Sequence, residues 1–158
     1  MNTPVKKAMN INYHNIQFYS TLIKDYLNGE LKESSKVDWE YSIESILNKT
    51  SERNFTSRKV LTERLNAQNQ AINLSVKSQL NLKKLEQSNC FTVCTGHQLC
   101  IYGGPAYFFS KILDTLSLCE KLNRKQAKFE YVPVFWMASE DHDFEEISET
   151  TIFGKQLK

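Results

Sequence analysis

No apolar run in this sequence is long enough to span a bilayer. The opening stretch, MNTPVKKAMNINYHN, lacks the apolar segment of a secretory leader. The expectation is therefore a cytoplasmic protein that makes no membrane contact. Charge of one sign is also scarce. Residues 1–89 carry 13 Lys+Arg against 9 Asp+Glu, a net +4, and residues 90–158 carry 7 against 9, a net −2. That balance is too mild and too scattered for a nucleic-acid footprint. The four cysteines, Cys90, Cys94, Cys100 and Cys119, include no C-x-x-C pair. The spacing of a zinc knuckle or a thioredoxin-like site is thus absent. In a cytoplasmic chain these thiols are expected to be reduced. The first half shows no internal repeat and no low-complexity tract.

What is present suits an α/β globular chain. A length of 158 residues is enough for one domain with a real core, and 41% hydrophobic with 24% charged residues is ordinary for such a chain. Residues 15–27 place Phe18, Leu22, Ile23, Tyr26 and Leu27 on one helical face, and Asn28-Gly29 is a stop signal. A second helix is expected from about Asp38, an N-cap type, through Asn48, with Trp39, Ile43, Ile46 and Leu47 as its buried stripe. Val60, Leu61 and Leu65 mark a third, near residues 55–66. Residues 67–87 contain neither Gly nor Pro and keep Ile72, Val76, Leu80 and Leu85, so they read as helix with a break near Asn73. The domain reading is a helical N-terminal region over 1–88, then the start of a sheet-containing core over 89–158.

At Cys90 the pattern changes. FTVCT is short, rich in β-formers and ends at a glycine, the signature of a buried strand. Gly103-Gly104-Pro105 then opens a helix whose apolar stripe is Phe108, Phe109, Ile112, Leu113, Leu116, Cys119 and Leu122. The polar stretch Asn123–Lys128 ends it. YVPVFWM is a nearly unbroken apolar run of strand length, which suits a parallel strand covered on both faces, with Trp136 in the core. Pro133 lacks a backbone donor and is expected near the strand start or at a sheet edge. Strand, helix and strand make a right-handed βαβ unit. In open α/β sheets ligands bind at the carboxyl ends of the strands. Two polar clusters fall there: Thr95-Gly96-His97-Gln98 and Glu140-Asp141-His142-Asp143.

The loop from Gly96 to Gly104 feeds a helix N-terminus, whose free N–H groups and dipole attract phosphate or carboxylate. It matches neither G-x-G-x-x-G nor G-x-x-x-x-G-K-[ST], so spacing alone assigns no nucleotide. Lys111 either meets an anion at that helix end, pairs with Asp114, or is solvated. His97 follows a glycine at a strand end, where it can contact phosphate or donate a proton, although a lone histidine is commonly structural. EDHDFEE packs five acids and one histidine into seven residues. An acidic run is usually a solvated face, but this one follows a buried strand directly. Its carboxylates can bind Mg²⁺ or an ammonium, or act as a base, and His142 can shuttle a proton. Zinc is disfavoured because no H-E-x-x-H spacing exists.

The phrases TGHQLCIYGGPAY and VPVFWMASEDHDFEEI, at this separation, resemble the cysteine-adding enzymes of bacillithiol biosynthesis, the cysteine ligase family. The opening also fits, with the Leu22–Leu27 helix, so the resemblance covers essentially the whole chain. It implies a Rossmann-like core related to nucleotidyltransferases, a coiled-coil domain that dimerises, and addition of L-cysteine to glucosaminyl malate. ATP is implied as cofactor, with Mg²⁺ as a further candidate and Asp141 and Asp143 as its candidate ligands. Carried over, the motif positions are Thr95, Gly96, His97, Gln98, Gly103, Gly104, Pro105, Tyr107 and Lys111, then Glu140, Asp141, His142 and Asp143. Of these, His97, Asp141, His142 and Asp143 are the catalytic candidates. Thr95, Gly96, Gln98, Gly103, Gly104, Lys111 and Glu140 are the binding candidates. Cys100 stands where the family usually has a small or polar residue, and Ala106 where it has leucine. Family members are far longer, so the expectation is the N-terminal portion of such a protein. The alternatives are a non-catalytic module that binds an anion or a partner chain, and a metal-dependent hydrolase built on the acidic cluster.

Overall fold

The computed structural model describes residues 11–12, 15–33, 40–100, 104–141 and 144–157. Asp38, Trp39, Gly103, His142 and Asp143 lie outside the described residues. The chain forms two compact units, Met1–Lys49 and Thr50–Lys158.

The first unit is helical. Helix α1 spans Thr21–Leu27, capped by Ser20, whose hydroxyl accepts from the Ile23 N–H at 3.4 Å. The expected start at residue 15 is thus corrected: the serine offers the backbone a cap, and residues 16–20 are not helical. The stop at Asn28-Gly29 holds, with Gly29 at φ +76°. A 3₁₀ turn follows at Glu30–Glu33. The apolar stripe read on α1 is not a buried one, for Phe18 is 99% exposed and Leu22 and Ile23 are exposed too. Helix α2 spans Ile43–Ser51, and Ser42 caps it by accepting from the Ser45 N–H at 3.1 Å. Thr50, in its last turn, already belongs to the second unit.

The second unit holds the sheet. Helix α3 (Arg58–Gln68) ends at Asn69, and residues 69–75 are not helical, so the break expected near Asn73 is a real interruption. Ser75 then caps α4 (Val76–Lys84), its hydroxyl accepting from the Ser78 N–H at 3.1 Å. Strand β1 is Cys90–His97, helix α5 is Ala106–Lys125 and strand β2 is Glu130–Met137. β1 and β2 pair in parallel with no slip, from Cys90↔Glu130 to His97↔Met137. Leu85, Cys90 and Val132 form the buried core, with Leu65 and Leu82 packed against it. Leu122 and Val132 are fully buried. Truncating either to alanine would cost about 2–5 kcal/mol.

Helix α5 divides its apolar residues between two faces. Phe108, Ile112, Thr115, Cys119 and Leu122, spaced three or four apart, are buried or half-buried. Phe109, Leu113 and Leu116 are exposed. The single broad stripe read from sequence is thus narrower in the structure, because a helix crossing two strands has only one side to bury. Pro133 sits mid-strand, opposite Val93. The amides of Glu130 and Ala138 point to the β1 side, donating to Asn89 and His97 carbonyls at 3.0 and 3.1 Å. Residues alternate in direction along a strand, so odd-numbered Pro133 faces away from β1. It removes no ladder bond, as expected of an edge.

Beyond β2 come a single helical turn, α6 (Phe144–Ile147), and a hairpin of β3 (Thr150–Ile152) and β4 (Lys155–Leu157). The hairpin had no counterpart in the sequence reading. Its turn residues Phe153 and Gly154 both adopt positive φ, 50° and 77°, the twist a two-residue hairpin loop requires. No helix of the described residues is long and apolar enough to cross a membrane.

Candidate functional site

The unslipped parallel register brings both motif segments to one edge. Thr95 faces Phe135, Gly96 faces Trp136 and His97 faces Met137. The backbone then joins the two segments directly, since the His97 carbonyl accepts the Ala138 N–H at 3.1 Å. The loops that follow, one beginning at Gln98 and the other at Ala138, therefore open from the same carboxyl edge, as the spacing predicted.

Gly96 is where the strands come closest to needing no side chain. A Cβ there would lie 2.7 Å from the Trp136 carbonyl oxygen and 2.9 Å from the Trp136 Cβ. Trp136, expected in the core, is instead 58% exposed. β2 pairs with β1 alone among the described residues, so the end of its outer face has no covering layer. The Trp136 indole N–H donates to Glu140 Oε1 at 3.2 Å, which holds that carboxylate at the edge.

His97 is the centre of a hydrogen-bonded cluster. Its Nδ1 is 3.0 Å from the Gln98 carbonyl oxygen, and its Nε2 is 2.7 Å from the Tyr107 hydroxyl. A carbonyl can only accept, so Nδ1 carries the proton. In the neutral ring Nε2 is then the acceptor, and the Tyr107 O–H donates to it. Cys100 Sγ lies 3.4 Å from Nδ1 and 3.6 Å from the Gln98 carbonyl oxygen. Phe108 meets the imidazole edge-on, with ring centres 5.5 Å apart, and fixes its plane. The sequence marks Tyr107 as a motif position and gives it no chemistry. The contact depends on the loop bringing the first turn of α5 back to the strand end, which no residue spacing displays.

Lys111, one turn further along α5, donates from Nζ to the Gly96 carbonyl at 3.0 Å. The same ammonium stands 5.5 Å from the centre of the Tyr107 ring. Of the three readings open for Lys111, none named this bond to the strand end. The side chain is exposed, and an ammonium has three N–H groups, so donors remain for an anion. Pro105 caps α5 without a side-chain hydrogen bond, so the first turn of this 20-residue helix has no side-chain cap. An N-terminus of that kind beside a lysine is the donor set that phosphate or carboxylate requires. Gly104, at φ +67°, makes the entry turn against Cys100.

The remaining candidates divide in two. Thr95 is half-buried in β1, and Gln98 is buried with its side-chain oxygen meeting no donor among the described residues. Glu140 and Asp141 are exposed, and the Asp141 N–H donates to the Ala138 carbonyl at 3.4 Å. The structure thus joins Tyr107 to His97 and Lys111, ties His97 to the Gln98 carbonyl and Lys111 to the Gly96 carbonyl, and sets Glu140 beside Trp136. Gly103, His142 and Asp143 lie outside the described residues. Among the described residues no three His, Cys, Asp or Glu side chains converge as metal ligands.

Comparison with known proteins bears on this edge directly. Residues 8–158 match the family model described as Bacillithiol biosynthesis BshC, N-terminal Rossmann-like domain. Relatives named "Putative cysteine ligase BshC" include those of Flavobacterium psychrophilum, 38% identical over 152 residues, and Christiangramia forsetii, 40% identical over 153. These alignments cover 93% and 94% of this chain and 29% and 28% of the relatives. A third, from Cytophaga hutchinsonii, is 50% identical over 100 residues, covering 63% of this chain and 19% of the relative. The chain spans less than a third of the length of these curated relatives. Both motif segments fall within the matched span.

Proposed function

The chain belongs to the BshC family of bacillithiol biosynthesis, and from that membership we propose that the protein is a ligase forming an amide between the carboxyl of L-cysteine and the amine of glucosaminyl malate. The observation that carries the reading is the shared edge: two polar segments of different chain regions, bonded through His97 and Ala138, flank one opening.

A carboxylate must be activated before an amine can displace oxygen from it, and ATP is the activating cosubstrate in this reading. It supplies a phosphoryl or nucleotidyl group. The uncapped first turn of α5 and Lys111 favour binding of that anion, and Gly103 and Gly104 add no side chain just before the helix. Gly96 leaves the strand ends close, and Thr95 and Gln98 line the same strand end. Asp141 and Asp143 are hard oxygen donors suited to Mg²⁺, or to taking the first proton of the substrate ammonium, before attack, with His142 assisting, and Glu140 meets that ammonium.

The test replaces His142 or Asp143 by alanine in the chromosomal gene and measures cellular bacillithiol. Loss of the thiol in either strain is the expected result. Normal bacillithiol in both strains would overturn these assignments.

A further inference from the structure

We infer that Tyr107, backed by His97, is the proton acceptor for the attacking amine, an assignment that rests on the ligase reading above. An amine that adds to an acyl carbon becomes a positively charged nitrogen. The amide is reached only when that nitrogen gives up a proton. The acceptor must face solvent-borne substrate and must have somewhere to send its own proton.

Tyr107 meets both conditions. Its side chain is 51% exposed at the first turn of α5, so its oxygen can be approached. Its hydroxyl proton already points to His97 Nε2 across 2.7 Å. The Gln98 carbonyl holds the opposite ring nitrogen as the N–H tautomer, which leaves Nε2 the open acceptor. The imidazolium formed on transfer keeps that carbonyl as partner for its Nδ1–H. Lys111 Nζ, 5.5 Å from the ring centre, favours negative charge on the tyrosine as its proton leaves. The backbone of His97 is pinned to β2 through Ala138, so the pair sits on the rigid strand end and not on a free loop.

The step balances as follows. The amine lone pair forms the new C–N bond at the cysteine carboxyl carbon, itself activated by a phosphoryl or nucleotidyl group from the ATP-class cosubstrate. The nitrogen proton passes to Tyr107 Oη as the tyrosine proton passes to His97 Nε2. The bond between the acyl carbon and the activating oxygen breaks, and the phosphate-type leaving group departs with the electron pair.

The experiment uses the full-length gene product with L-cysteine, glucosaminyl malate and ATP, and compares it with Tyr107→Phe and His97→Gln. Tyr107→Phe keeps the ring on Lys111 and removes only the hydroxyl. The expected result is a fall in kcat of about 100-fold in each variant, with KM for the amine changed by less than about threefold. Nitrogen-15 spectra of the histidine ring give a second readout independent of turnover. They should show Nδ1 protonated in the unmodified protein and a displaced Nε2 signal in Tyr107→Phe. A kcat within about threefold of the unmodified protein in a folded Tyr107→Phe variant overturns the assignment alone. So does an Nε2-protonated ring in the unmodified protein. Failure of the unmodified protein to form any amide overturns the ligase reading, and this assignment with it.

Discussion

The side-chain amide of Asn123 pairs with the backbone of Tyr131 at both ends. Nδ2 donates to the Tyr131 carbonyl and Oδ1 accepts the Tyr131 N–H, each at 2.8 Å. Tyr131 is odd-numbered, so like Pro133 it turns its backbone away from β1. One residue in the last turns of α5 thus stands in for a neighbouring strand and closes the βαβ crossover. Replacing Asn123 by alanine leaves both backbone groups of buried Tyr131 without this partner. The expected loss is about 1–3 kcal/mol in chemical denaturation. Asn123→Asp, which sets a carboxylate oxygen against the Tyr131 carbonyl in place of the donor, should cost at least as much.

Tyr131 also reaches across 81 residues of sequence, its hydroxyl donating to Thr50 Oγ1 at 3.0 Å in a buried site. Burial holds that phenol above its ordinary pKa, with the Thr50 bond acting in the opposite direction. Tyr131→Phe removes this bond and should cost about 1 kcal/mol. A double-mutant cycle with Thr50→Val measures the coupling between the two side chains.

Gly96→Ala should be costlier than its size suggests. The added Cβ would meet the Trp136 carbonyl at 2.7 Å, and a backbone oxygen in a paired strand cannot rotate aside. A loss of about 1–3 kcal/mol is expected, with parting of the strand ends that carry the site. The denaturation midpoint should fall, and with it the amide-forming activity proposed above.

Cys119 gives a pH test. Burial pushes its thiol from 9.0 up to about 11, an effect only partly offset by the Val93 backbone. Between those pH values the folded protein keeps a proton that the unfolded chain has released. Stability should therefore be intact below about pH 9 and decline as pH rises toward 11, by up to roughly 3 kcal/mol for this group. Cys90 and Tyr131, also raised by burial, act in the same direction. Cys119→Ala should flatten the alkaline slope of the denaturation midpoint against pH, whatever its effect at pH 7.

Lys111→Met separates binding from folding. The Lys111 bond to the Gly96 carbonyl lies at the surface, so its loss should change stability by less than about 1 kcal/mol. If the ammonium also holds the cosubstrate phosphate, KM for ATP should rise about tenfold or more in steady-state kinetics.

Much of this architecture was legible in the chain itself. Period and composition located β1, α5 and β2, because a buried strand and a long amphipathic helix write their packing into spacing. The glycine-to-proline entry and the parallel pairing followed from the same segments, and so did the common edge for the two polar clusters. The two motif phrases identified the family. Less visible was which apolar residues would be covered. Phe109 and Phe108 are adjacent and equally apolar, yet only Phe108 turns inward against His97 and Phe135. Trp136 reads as core and stands at the surface beside Glu140.

What the sequence determined by itself is the strand–helix–strand core, its parallel order and the residue types delivered to one edge of the sheet. Those follow from local periodicity and from the handedness of a strand–helix–strand connection. What only the tertiary structure decided is who touches whom there: Tyr107 on His97, Lys111 on the Gly96 carbonyl, Asn123 on Tyr131 and Tyr131 on Thr50. The reason is physical. A hydrogen bond needs its donor and acceptor within about 3 Å and aligned, and that distance is set by how loops close and helices seat on strands. Spacing along the chain carries no measure of it.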